Sequence, residues 1–163
     1  MSNFPNIQQV LEDGGERIVR LMVNALQLDG AIFTGELAKS INSKVTETKD
    51  GATLSIEMLE RGDFLDKGVS GTVNITNRPF KFTDKRPPIA SLQTWARVKG
   101  VNVWYLQRKI YEDGIAPRRF IQPSLDEGIK WMQSKFEEAG EKDIEAQIFQ
   151  LSLKGGTNKI EVK

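Results

Sequence analysis

The sequence predicts an α+β fold: a small antiparallel sheet built on a β-hairpin, packed against a long N-terminal helix and several C-terminal helices. Three observations carry this reading. Apolar residues recur at helical spacing through the first segment, two alternating runs flank Asp50-Gly51, and helical periodicity returns after Pro88. With 163 residues, 39% of them hydrophobic, the chain suits one domain over residues 1–153. Within it, residues 60–88 read as a long loop, and residues 154–163 as a flexible tail.

The first helix places Ile7, Val10, Leu11, Ile18, Leu21, Met22, Ala25 and Leu28 on one stripe. Gly14 falls on that stripe beside Gly15. The pair predicts either a kink or close backbone contact, or else a surface break between two shorter helices. Leu28-Asp29-Gly30 stops the helix. Thr34 then caps a short second helix from Gly35 to about Ile41, with Glu36 near its positive end.

Asp-Gly between alternating runs signals a two-residue hairpin turn. Turning at Asp50-Gly51 would set Val45 opposite Ile56, Glu47 opposite Leu54 and Ser43 opposite Met58 on a largely apolar face. Two strands seldom persist alone in water, so a third is required from this chain or a neighbour.

From Glu60 to Pro88 glycines are frequent and apolar residues few, as in functional loops and in merely solvated ones. Phe80 and Phe82, two apart, fit an edge strand better than a base-stacking platform. Pro87-Pro88 opens a helix with Ile89, Leu92, Trp95 and Ala96 inward, which Gly100 ends. A second helix runs from about Val101 to Gly114, with Val103, Leu106 and Ile110 inward and Trp104, Tyr105 and Tyr111 flanking. Residues 115–123 are extended because residues before proline avoid the helical region. Phe120 and Ile121 are there as the missing strand or a core plug. A helix begins after Pro123, is interrupted at Ala139-Gly140, and resumes with Ile144, Ile148 and Leu151.

Composition narrows the chemistry. Lys plus Arg number 23 against 22 acidic residues, so any basic surface must be local. There is no cysteine and no histidine, which removes disulfides, zinc-cysteine sites, thiolate catalysis and the side chain that titrates near neutrality. The glycines of Gly68-Val69-Ser70-Gly71-Thr72 lack the Lys-Ser/Thr ending of a phosphate-binding loop. Acidic pairs such as Glu12-Asp13 and Glu137-Glu138 are what solvated helix faces carry. No catalytic, cofactor-binding or metal site is therefore expected, and the chain reads as non-enzymatic. No apolar run spans a bilayer and the start lacks a secretory pattern, so no membrane partner is expected. Trp95, Trp104 and Trp131 read as core or interface anchors; one of them exposed would point to a protein partner.

The order of features resembles a family. Thr34-Gly35-Glu36-Leu37-Ala38-Lys39-Ser40-Ile41, followed at once by a hairpin, is similar to the Thr-Gly-x-Leu-x-x-Ser-Ile segment of tail-component proteins of tailed bacteriophages. Phe64 to Thr72, Pro87-Pro88-Ile89 with Trp95 and Lys99-Gly100, and Ile110 to Ile121 resemble further segments of that family, in order. Ala31-Ile32-Phe33 replaces the usual proline-rich lead-in, and the helices after Leu125 are longer. The resemblance implies a virion protein assembled in the bacterial host cytoplasm and located at the neck or top of the tail. There it would act in tail completion or head-to-tail joining as a ring, hexamer or dodecamer. Its partners would be copies of itself, adjacent neck or tail proteins, and DNA passing through the lumen without sequence-specific binding.

The expected inter-subunit contacts are Phe64, Leu65, Asp66, Lys67, Val69, Arg78, Phe80 and Phe82. The alternative is a small DNA-binding or packaging accessory protein using the basic loop Arg78, Lys81, Lys85 and Arg86, which would also serve an acidic partner.

Overall fold

A computed structural model describes residues 4–28, 35–48, 51–147 and 159–162. The fold is α+β. The elements are α1 (Pro5–Leu28), α2 (Glu36–Ser40), β1 (Asn42–Thr48), β2 (Gly51–Glu57), α3 (Arg61–Lys67), β3 (Val69–Ser70), β4 (Phe80–Lys81), α4 (Ile89–Lys99), α5 (Val103–Asp113), β5 (Gly114–Ile115), α6 (Ile121–Gln147) and β6 (Lys159–Val162). They form two compact units. The first comprises Met1–Asn24, Ser40–Met58 and Gln122–Lys163; the second comprises Ala25–Lys39 and Leu59–Ile121.

In the first unit α1 is unbroken, and its glycines are points of close approach. A Cβ on Gly14 would lie 2.2 Å from the Met132 sulfur, and one on Gly128 of α6 would lie 2.1 Å from Ile18 Cγ1. Each helix thus receives the other's side chain in a glycine gap, with the two helices antiparallel. Gly15 brings the sheet equally near: a Cβ there would meet Leu54 Cδ1 and Ser43 Cβ, each at 2.8 Å. Leu11, Ile18 and Met22 of α1, Leu54 and Ile56 of β2, and Met132 of α6 are fully buried around these contacts. Leu28, expected inward, is 89% exposed.

α1 and α6 are also locked at one end. The carboxylate of Asp143, buried in α6, accepts from the Asn6 N–H (3.1 Å), the Ile7 N–H (2.9 Å) and the Asn6 side-chain amide (2.7 Å). These backbone donors belong to the first turn of α1 and have no partner within the helix, so the cap comes from the far end of the chain. The expected break at Ala139-Gly140 does not occur. α6 runs through it, with Ala139 buried and Gly140 facing open space. α6 also begins earlier than expected, at Ile121, so Pro123 lies in its first turn, where its missing N–H costs nothing.

The hairpin is antiparallel but turns one residue earlier than Asp50-Gly51 implies. Ser43 pairs with Ile56, Val45 with Leu54, Glu47 with Ala52 and Thr48 with Gly51, so Gly51 is already in β2. Lys49 and Asp50 lie outside the described residues. The change moves each partner by two positions, and because strand side chains alternate, Leu54 and Ile56 keep the buried face. The third strand is β6, parallel to β2, with Leu54 opposite Ile160; it lies within the segment expected as a tail. The Thr34 cap, the Asp29-Gly30 stop, Ile148 and Leu151 fall outside the described residues.

In the second unit the segment read as a loop is structured. It contains α3 and the centre of a second sheet, in which β3 pairs with β4 in parallel and with β5 in antiparallel orientation. What orders it is distant in sequence. The Leu65 carbonyl accepts from the Arg118 N–H (3.0 Å), the Asp66 carbonyl from the Arg119 N–H (3.1 Å), and the Asp66 carboxylate from the Ile121 N–H (2.9 Å). Of the two residues expected as strand or plug, Phe120 is buried in the core and Ile121 opens α6.

α4 and α5 match their local signals. Pro88 stands at the N-cap of α4, and Gly100, left-handed at φ 66°, ends it. The Asn102 side-chain oxygen caps α5 by accepting from Trp104 N–H (2.8 Å) and Tyr105 N–H (3.3 Å). Removing that cap with Asn102→Ala is expected to cost about 1 kcal/mol in urea unfolding. An unchanged midpoint would show that the cap does not hold the elbow.

Candidate assembly surface

The second sheet consumes much of the segment singled out as a contact surface. Val69 is buried in β3. The Arg78 guanidinium is half-buried and donates from one nitrogen to the Val69 carbonyl (3.0 Å) and the Ile115 carbonyl (2.8 Å), bridging two strands of this sheet. Phe80 stands edge-on to Phe64, with ring centres 4.6 Å apart. Lys67 lies 5.9 Å from the Phe80 ring centre and pairs with Asp63 at 3.2 Å. Leu65 is half-buried, and Asp66 is engaged by the start of α6.

The remaining basic residues divide. Phe82 donates its N–H to the Ser70 carbonyl (3.0 Å) and packs its ring 5.9 Å from that of Tyr111. Arg86 lies over the same Tyr111 ring at 5.6 Å, and the Tyr111 hydroxyl donates to the Thr83 carbonyl. Of the four basic residues in the loop, Lys81 and Lys85 are exposed without a described partner, whereas Arg78 and Arg86 are held against the unit itself. An open cleft of about 490 Å³ lies beside Arg78, lined also by Lys67, Thr76, Asn77 and Arg119. Arg119 has φ 50°, in the left-handed region uncommon for a side chain of this size. Its N–H bond to Asp66 holds it there.

The exposed apolar surface lies elsewhere. α5 buries Leu106 and Gln107, whose amide donates to the Pro87 carbonyl at 2.7 Å, and turns Trp104 and Tyr105 outward. Trp104 is 65% exposed and Tyr105 60%, with Val98 in the last turn of α4 and Val101 in the elbow after it also exposed. At the other end of α5, Val73 and Ile75 are 69% and 82% exposed. The Glu112 carboxylate there is hydrogen-bonded to Arg108 at 2.7 Å, and this bond, with the attraction of their charges, holds the guanidinium pKa above its ordinary value. Periodicity placed Trp104 and Tyr105 beside the inward stripe; it carried no signal for Val73 and Ile75.

Comparison with known proteins returns no matching family model, no matching curated protein and no matching solved structure. Among the described residues no three metal-ligating side chains gather in one place, and no helix is long and apolar enough to cross a membrane.

Proposed function

We propose that this chain is a structural subunit of a tailed-bacteriophage virion, assembling with copies of itself into a ring at the neck or top of the tail. Its work there is tail completion or head-to-tail joining, by binding rather than by making or breaking bonds. The observation that carries the reading is the Trp104-Tyr105 pair, exposed on a helical hairpin whose elbow is fixed by the Gly100 and Asn102 caps. Large aromatic side chains held rigid at a surface are what protein interfaces bury at their centre.

Two further features support it. The segments Phe64 to Thr72 and Ile110 to Ile121, which resemble the phage family in sequence, bond to each other: Leu65 and Asp66 hold residues 118–121, and Thr72 bonds to Tyr111. Also, β1 is an edge strand of seven residues, with β2 on one side and no strand of the described residues on the other. Such an edge can accept a neighbouring chain. The DNA-binding alternative is less favoured because Arg78 and Arg86 already have partners within the unit.

The test is the particle itself. Quantitative mass spectrometry of virions from the genome that encodes the chain is expected to find it in multiple copies, and cryo-electron microscopy to find it as a ring between head and tail. Its absence from purified virions overturns the reading.

A further inference from the structure

Two exposed apolar clusters flank α5, one at each end. At its start are Trp104 and Tyr105, with Val98 at the end of α4 and Val101 in the elbow that follows. At its end, residues 72–74 are tied to the last turn: the Thr72 N–H donates to the Tyr111 carbonyl (3.0 Å), and the Val73 and Asn74 N–H groups donate to the Glu112 carbonyl (3.1 and 3.0 Å). The Asn74 side-chain amide donates to Asp113 Oδ1 at 2.7 Å. These bonds fix a short projection that leaves Val73 and Ile75 in solvent.

The surroundings of the two clusters differ in sign. Arg97, Lys99 and Lys109 neighbour the aromatic cluster in sequence, Lys109 being one helical turn beyond Tyr105. Asp113, and Glu112 with its Arg108 partner, lie beside the aliphatic projection. Glu112 lies eight positions beyond Trp104 along the helix, roughly 12 Å at 1.5 Å per residue.

We infer that the Val73-Ile75 projection of one copy docks on the Trp104-Tyr105 cluster of the next. Two aromatic clusters facing each other would oppose like charges, whereas projection against cluster brings the Asp113 carboxylate, which no described cation neutralises, to a basic margin and covers apolar surface on both sides. Because donor and acceptor are different surfaces at different ends of one helix, the contact is head-to-tail. An open assembly then keeps one free donor and one free acceptor, at its two ends, until it closes. The inference rests on the proposed self-assembly and names the surface by which it occurs.

The absence of cysteine makes a directional test simple. Val98→Cys puts one thiol beside the aromatic cluster, and Thr76→Cys puts one beside the projection; both positions are solvent-exposed. A short bismaleimide added to an equimolar mixture at high protein concentration is expected to join the two variants to each other, with little joining of either to itself. Adding Trp104→Lys to the first variant or Ile75→Lys to the second should reduce the mixed product about tenfold or more, as for a central interface anchor. Circular dichroism confirms that each variant is folded.

Equal amounts of mixed and self-joined product, no product, or a mixed product indifferent to Trp104→Lys would each overturn the inference. So would a particle map in which Trp104 faces another protein, although the ring reading would then stand. Absence of the chain from virions overturns the ring reading whatever the cross-links show.

Discussion

Asp143→Ala lowers the unfolding free energy by about 3 kcal/mol, measured by urea denaturation near neutral pH. The carboxylate is 1% exposed and receives three hydrogen bonds at the start of α1. Bonds to a charged acceptor contribute about 1.5–3 kcal/mol each, and favourable charge at a partly buried helix end contributes up to about 2. These values do not add, because the variant also escapes the cost of keeping the carboxylate out of water. Alanine nevertheless leaves the first-turn donors without an acceptor in a part-buried site. Asp143→Asn keeps one acceptor oxygen and is expected to lose about half as much. An alanine variant within about 1 kcal/mol of the parent would show that the cap adds little to the joining of α1 and α6.

Gly114→Ala is the other large effect, and Gly100→Ala is its control. Both glycines have positive φ, 83° at Gly114 and 66° at Gly100. Gly100 has nothing within 4 Å of the position a Cβ would take, so alanine there meets only the left-handed penalty, about 1 kcal/mol. At Gly114 a Cβ would lie 2.2 Å from the Val69 carbonyl oxygen and 2.6 Å from the Gly71 nitrogen, both backbone atoms of the paired strand segment. Its ψ of −166° adds a conformation that is almost confined to glycine, at about 1–3 kcal/mol. Backbone atoms cannot swing aside as a side chain can, so β3 and β5 must part. The expected loss is about 4 kcal/mol, against about 1 for Gly100→Ala. Equal effects at the two positions would mean that backbone conformation, and not crowding, governs Gly114.

These two variants also separate what was legible in the sequence from what was not. Gly100 and Gly114 were read as helix stops, and both are. Asp143 gave no signal, because its role depends on donors 136 and 137 residues away. Arg78 was read as a surface base, yet it bridges two sheet carbonyls, and a basic residue in a loop looks the same in either role. α3 was missed since seven residues with a glycine cannot hold a helix by propensity; bonds from residues 118–121 support it. The Ala139-Gly140 break failed to appear for the related reason that tertiary contacts on either side keep α6 continuous.

The sequence by itself determined the α+β class, the long first helix, the hairpin and its buried face, and the limits of α4 and α5. Each rests on interactions within a few residues: side-chain periodicity, fixed φ at proline, positive φ at glycine and a capping amide. Only the tertiary structure decided that Gly14, Gly15 and Gly128 are close contacts, that the supposed loop is the centre of a second sheet, and that Trp104 faces solvent. Those outcomes depend on what lies across from each residue, and spacing along a chain carries no record of the opposing surface.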